Sequence, residues 1–339
     1  MQIFLYEWAS GGGLVNEPGA LPASLVREGV TMIGALAADL MRISGARVTA
    51  LRDPRVVQLA LGGGQAIDVQ SAAEHRHEFE RLAAEADATI LIAPEFDGIL
   101  LKAAQRAVAC GGRLHSPSPE FIRLTADKHE TCERLAAAGV RVPDGILLEP
   151  EQKLPAGFSY PAVLKPVDGA GSQDTLLVAG VYDDPPPYAW TRRLEQYISG
   201  LAVSVAFLCG PAGRLPLVPC TQRISEDGRF RYRGGELPLA EGLAERAVAL
   251  SGKAVSALPG ARGYVGVDLI LGRDPGGEED VVIEINPRLT TSYVGLRAAA
   301  KQNLAAAMLH VAAGESALVE FSDRALEFDA AGNVSFLAR

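Results

Sequence analysis

Two segments in the C-terminal third, GYVGVDLIL (Gly263–Leu271) and VVIEINPR (Val281–Arg288), are rich in Val, Leu and Ile and predict β-strands. The segment between them, GRDPGGEED, carries an Asp-Pro-Gly-Gly turn, so the pair predicts a hairpin folded about Gly276. In that register Asp268 falls opposite Glu284. Strand side chains alternate between faces, which puts Asp268, Glu284 and Asn286 together on the even-numbered face. The odd face carries Val265, Val267, Leu269, Leu271, Val281, Ile283 and Ile285, an apolar set for a core.

Elsewhere the patterning alternates between strand and helix. Residues 1–118 contain the strands IFLYEW, RVTALR and ATILIAP and the helices ASLVREGVTMIGALAADLMRIS and EFERLAAEA, which predicts a small parallel α/β domain. A second unit, 119–199, opens with the helix ADKHETCERLAAAGVRVP, ended by Gly139 and Pro143. It continues with the short strands PAVLKPV, DTLLVAG and RLEQYI and a Pro-rich loop, DDPPPYAW. The third unit, 200–339, is rich in strands. It has one helix near 239–257, another near 292–312, and the closing strand-like pieces RALEFD and NVSFLAR.

At 339 residues the chain is long enough for two or three domains. Lys plus Arg number 32 against 41 Asp plus Glu, a formal charge of −9, which argues against nucleic acid or an anionic membrane as partner. No apolar run approaches a membrane span, and the start MQIFLYEW lacks the basic flank of a secretory signal. Cys110, Cys132, Cys209 and Cys220 show no CxxC spacing and are expected to be buried reduced thiols of a cytoplasmic protein. His75 and His77 are expected on a solvated helix face. The turn ASGGG is no dinucleotide fingerprint, and a Rossmann cofactor site is rejected. Gly11, Gly12 and Gly13 suit either close approach of a ligand or a tight strand-to-helix turn.

The candidate chemistry begins at the hairpin. Two like charges across a ladder repel, and a hard cation relieves that repulsion. Two carboxylates and an amide are the oxygen donors magnesium takes when phosphates complete its shell; the alternative is a hairpin with a solvated polar face. Lys128 opens a helix whose positive end, with the lysine, can meet a phosphate. Lys165 sits in an apolar strand, where an ammonium needs an anionic partner. The loop DGAGSQD follows, and Gly169, Ala170, Gly171 and Ser172 can turn successive N–H groups toward an anion. Glu195, Gln196, Tyr197 and Ile198 lie at a seam between units. There, extended backbone can hold an adenine edge or serve as a plain linker.

Taken in order, DK…GVRVP, VLKP-DGAGS, EQYISG, VDLIL and EINPR resemble the ATP-grasp superfamily over roughly residues 120 to 300. The resemblance implies an ATP-grasp fold, mixed α/β and α+β, in which two subdomains grip ATP behind a preceding α/β domain. It implies that Lys128 and Lys165 bind the ATP phosphates and that Gly169–Ser172 close over them. Residues 195–198 would hold adenine. Asp268, Glu284 and Asn286 would bind two magnesium ions, with manganese as a substitute, and Arg288 would stabilise an acyl-phosphate or tetrahedral intermediate. One departure stands out: Gly200-Leu201-Ala202-Val203 lacks the acidic residue with which many relatives hold the ribose.

Narrower resemblance, in FLYEWASGGG, TQRISEDGRFRYRGGELP and EINPRLTTSYVGLR, is to the tyramine–glutamate ligases of methanofuran biosynthesis and their bacterial relatives. It implies an ATP-dependent, ADP-forming ligase that joins a small acid to a small amine. Arg223, Arg231, Arg233 and Arg297 are further cations for the acid. A carboxylase or kinase with another small acid, and a non-catalytic ATP-binding module, share the nucleotide motifs and stay open, as does a homodimer.

Overall fold

The structure, a computed structural model, describes residues 1–337; the last two residues of the piece NVSFLAR lie outside it. The first unit runs β1 (Gln2–Glu7), α1 (Ala23–Leu40), β2 (Arg47–Arg52), β3 (Gln65–Asp68), α2 (Ala72–Glu85), β4 (Ala88–Ile92) and α3 (Ile99–Ala109). Its sheet is parallel, in the order β3-β2-β1-β4. β1 and β4 are almost wholly buried, as strands covered on both faces must be. Ile3 and Leu5 pack with Ile33, Leu36 and Leu40 of α1, while Phe4 and Tyr6 pack with Phe79 of α2 and Leu100 of α3.

The glycine turn after β1 is packed against protein. A side chain at Gly13 would strike the Trp8 ring, and Gly12, at φ 93°, lies on Val69. It is a tight turn, so that alternative holds and ligand approach does not. His75 departs from expectation: its ring is half-buried against Tyr6, with Oη and Nε2 3.0 Å apart, while His77 is exposed. Tyr6 and Phe79 supply the apolar surface that draws it in.

Next come α4 (Pro119–Ala126) and α5 (Lys128–Ala137), capped by Ser118 and Asp127. The antiparallel sheet that follows has the order β5-β8-β6-β7, from β5 (Gly145–Leu148), β6 (Ala162–Pro166), β7 (Leu176–Val178) and β8 (Arg192–Gln196). Its own core is small: Leu148, Leu154, Ala162, Leu164, Val178 and Leu194.

Beyond it run β9 (Leu201–Gly210), β10 (Gly213–Pro216), β11 (Cys220–Thr221), β12 (Arg223–Ile224), β13 (Tyr232–Leu237), α6 (Glu241–Ser256), β14 (Gly263–Leu271), β15 (Val281–Asn286), α7 (Tyr293–Ala299), α8 (Leu304–Ala313), β16 (Leu326–Asp329) and β17 (Val334–Phe336). One sheet has the order β10-β9-β14-β15 with β11 beside β9, the other β12-β13-β16-β17. Phe121, Leu124 and Leu135 of α4 and α5 share a core with Val203, Val265 and Val267 of the larger sheet. On its opposite face Ala206, Leu208 and Tyr264 join α8 and α1, so the first unit and the C-terminal third share one core.

The single helix expected near 292–312 is two. α7 ends before Ala300, and Asn303 starts α8 by accepting from the Ala306 N–H at 3.0 Å, an N-cap that favours a fresh start over continuation. Among the described residues no helix is long and apolar enough to cross a membrane.

Candidate active site

The hairpin of β14 and β15 folds in the expected register, with Asp268 opposite Glu284 and Gly266 opposite Asn286. Just past Asp268 the ladder slips, because Leu269 pairs with Val282. The bulge leaves Ile283 unpaired, and the apolar set shifts. Val282 is fully buried, whereas Ile283, expected in the core, is half-buried and lines the cleft.

Asp268 is the most constrained donor. Asn286 Nδ2 donates to its Oδ2 at 3.0 Å and Gln222 Nε2 to its Oδ1 at 2.9 Å. Burial, then the charge of Glu284, push the Asp268 carboxyl well above the ordinary range. Burial also opposes charge on Glu284, but Lys128, Lys165 and Arg288 outweigh it and hold that carboxyl below its usual value. Lys128 Nζ lies 3.6 Å from Glu284 Oε2. Two facing carboxylates, one of them proton-hungry, beside an amide make a donor set suited to a hard cation. Among the described residues no three His, Cys, Asp or Glu side chains gather as a metal cluster, so the candidate depends on Asn286 as the third donor.

Around this floor the chain closes a cavity of about 670 Å³. Lys128 and Lys165 both reach it. The N–H groups of His129 and Glu130 are taken by the Asp127 cap, and that of Lys128 by Val167 O. The helix N-terminus expected to meet a phosphate is therefore already satisfied, and the Lys128 side chain is what remains; its Nζ donates to Gly169 O. Lys165 has its anionic partner within the protein: Nζ is 2.5 Å from Glu195 Oε1, while Glu195 Oε2 accepts from Arg193 Nε at 2.8 Å.

Over the lysines lies the loop Gly169–Ser172, with left-handed backbone at Gly171 and Ser172. Its four N–H groups take no part in the backbone hydrogen bonds of the described residues, the condition for an anion-holding concavity. Asp168 Oδ2 accepts from Asp97 N at 3.0 Å and ties the loop's start to the first unit.

At the back, Glu195, Gln196, Tyr197 and Ile198 all line the cavity. The Gln196 and Tyr197 N–H groups already bond to Asp144 O and Pro161 O, which leaves the Ile198 N–H as the open donor among the described residues. Gly200 packs so closely on Leu271 O that no side chain fits.

The front wall was not legible beforehand. Arg288 Nε is 2.9 Å from Glu95 Oε1, a buried ion pair across 193 residues of chain. Ser24, Leu25, Glu28 and Met32 of α1 and Phe96 complete the wall. Glu7 and Glu95 stand at the carboxyl ends of β1 and β4, where ligands meet an open parallel sheet; that position was the available signal. Of the four further arginines, Arg231 and Arg233 line the cleft. Arg223 and Arg297 are paired to Glu327 and Asp39 and point elsewhere.

A family model described as an ATP-grasp domain matches residues 125–292, and one described as a pre ATP-grasp 3 domain matches 46–122. Among curated relatives, a protein of Methanocaldococcus fervens named tyramine–L-glutamate ligase is 27% identical over 212 residues, 62% of each chain. The match thus spans about three fifths of that relative's length. Among solved structures, an ATP-grasp superfamily protein from Archaeoglobus fulgidus superposes with a TM-score of 0.72 at 23% identity, covering 97% of this chain and 92% of that one. The ADP complex of N5-carboxyaminoimidazole ribonucleotide synthetase superposes with a TM-score of 0.74 at 16% identity, covering 96% and 80%. These two are likenesses of fold.

Proposed function

Because the chain belongs to the ATP-grasp family, we propose that it is an ATP-dependent ligase that joins a small carboxylic acid to an amine with release of ADP and phosphate. The named relative supports glutamate and tyramine as the pair, giving a γ-glutamyl amide of the methanofuran type. The observation that carries the reading is convergence: two lysines, the carboxylate–amide trio and Arg288 meet in one cavity under a glycine-rich loop.

In this reading the acid's carboxylate attacks the γ-phosphorus of ATP, forming an acyl-phosphate and ADP. The amine then attacks the acyl carbon and phosphate leaves. Lys128 and Lys165 draw phosphate oxygens into place, and Glu195 keeps Lys165 from wandering before the nucleotide arrives. The N–H groups of Gly169–Ser172 hold the phosphates from above. Asp268, Glu284 and Asn286 would hold magnesium, which supplies charge neutralisation on the phosphates when bound. Arg288, oriented by Glu95, faces the negative charge that builds on the acyl oxygen. Arg231 and Arg233 attract the acid substrate.

The test is ADP release with L-glutamate and tyramine, followed by the mass of the product. Amine-dependent ADP release with an amide product is expected. ADP release indifferent to the amine, with no amide formed, would overturn the reading.

A further inference from the structure

α1 presents one stripe to the cleft, Ser24, Leu25, Glu28, Gly29 and Met32, spaced as neighbours on a helix face. Three carboxylates of the first unit stand near that wall, and their bonding differs. Glu7 is folded onto its own turn, accepting from the N–H groups of Ala9 and Ser10 and the Ser10 hydroxyl at 3.0, 2.7 and 2.6 Å. Glu95 is engaged with Arg288. Glu28 lines the cavity and has neither a hydrogen bond nor an ion pair among the described residues. Glu28, Glu284 and Arg288 line the same cavity, and both carboxylates act on the Arg288 charge.

The amine nitrogen must reach the acyl carbon beside Arg288, and the α1 stripe lines that same cavity. An amine is a cation in neutral water and needs an anionic counterpart in a half-closed cavity. We propose that Glu28 holds the ammonium group of the amine substrate and takes its proton, so that the freed amine attacks the acyl carbon and phosphate leaves. Leu25, Met32, Ile92 and Phe96 beside it receive an apolar body, so the substrate class is a primary amine carried on a hydrophobic or aromatic group. Burial raises the Glu28 carboxyl pKa although Arg288 pulls it down, as expected of an anion whose partner has yet to arrive. The proposal rests on the ligase reading given above.

The experiment compares wild type with Glu28→Gln using two nucleophiles, L-glutamate being the acid. Tyramine needs an ammonium site; hydroxylamine is uncharged near neutral pH and traps the acyl-phosphate as a hydroxamate without one. The variant should raise the KM for tyramine about tenfold or more while hydroxamate formation suffers far less, and Glu28→Asp should restore part of the loss. An unchanged tyramine KM, or equal losses with both nucleophiles, would overturn the assignment. If wild type forms no hydroxamate, the ligase reading for this acid fails instead. Glu28 is then read by calorimetric titration of tyramine into enzyme holding magnesium and a non-hydrolysable ATP analogue. About tenfold weaker binding to Glu28→Gln is expected; equal affinity, or none for wild type, overturns it.

Discussion

Asp39 and Arg297, 258 residues apart in the chain, form a two-pronged ion pair: Oδ1 accepts from Nη2 at 2.6 Å and Oδ2 from Nε at 2.8 Å. Tyr293 Oη donates to the same carboxylate at 2.9 Å, and Asn303 Nδ2 donates to the Asp39 carbonyl at 2.8 Å. One acidic residue thus pins α1 to α7 and to the start of α8. Eleven residues along the helix, about three turns, stands Glu28 on the same face. The pair fastens the front wall of the cleft to the C-terminal third.

Asp39→Ala should destabilise the protein by roughly 2–4 kcal/mol, since it strands a buried tyrosine hydroxyl and a partly buried guanidinium. Urea denaturation measures this. An unchanged midpoint would mean that α1 is held by its apolar contacts alone.

Glu284→Gln should leave the fold intact, because it removes a charge that faces Asp268 across the ladder. ADP formation should fall by at least ~10²-fold as the cation's donor set is lost. A variant that turns over normally would remove Glu284 from the site, and chelation of magnesium should silence the wild type in the same assay.

Lys165→Ala should raise the KM for ATP by about tenfold or more. The fold survives because Arg193 still engages the Glu195 carboxylate. ATP affinity equal to wild type, by direct titration, would exclude a phosphate role.

His75 supplies a pH dependence. Burial, with a smaller contribution from Arg106, lowers its pKa from 6.5 to about 4. The unfolded chain takes up the proton first, so the contribution to stability is complete above pH 6.5 and declines as the pH falls toward 4. Over that window the loss is roughly 3 kcal/mol. His75→Gln should flatten this part of the stability curve relative to wild type. Parallel curves would show that the ring is protonated without penalty.

The β14–β15 register that sets Asp268 opposite Glu284 was legible because period-two patterning and one turn fix it with no help from the rest of the chain. The ATP-grasp fold was legible too, through the ordered set of lysine, glycine-loop and Asn-Pro-Arg motifs. Ile283 was misplaced because a bulge inserts one residue without any mark in the apolar pattern. His75 and the break at Asn303 were missed because neighbours distant in sequence, or a local cap, override helical periodicity. Glu28 and Glu95 carry no local signature. They become wall residues only when α1 and the edge of β4 dock against the C-terminal third.

The sheet β5-β8-β6-β7 rests on six buried side chains, against far larger clusters elsewhere. Its backbone amides should therefore exchange with deuterium sooner than those of β9 and β14, and slow once nucleotide is clasped. Part of the affinity for that ligand would then go into ordering this sheet, a trade that favours release of products over tight retention.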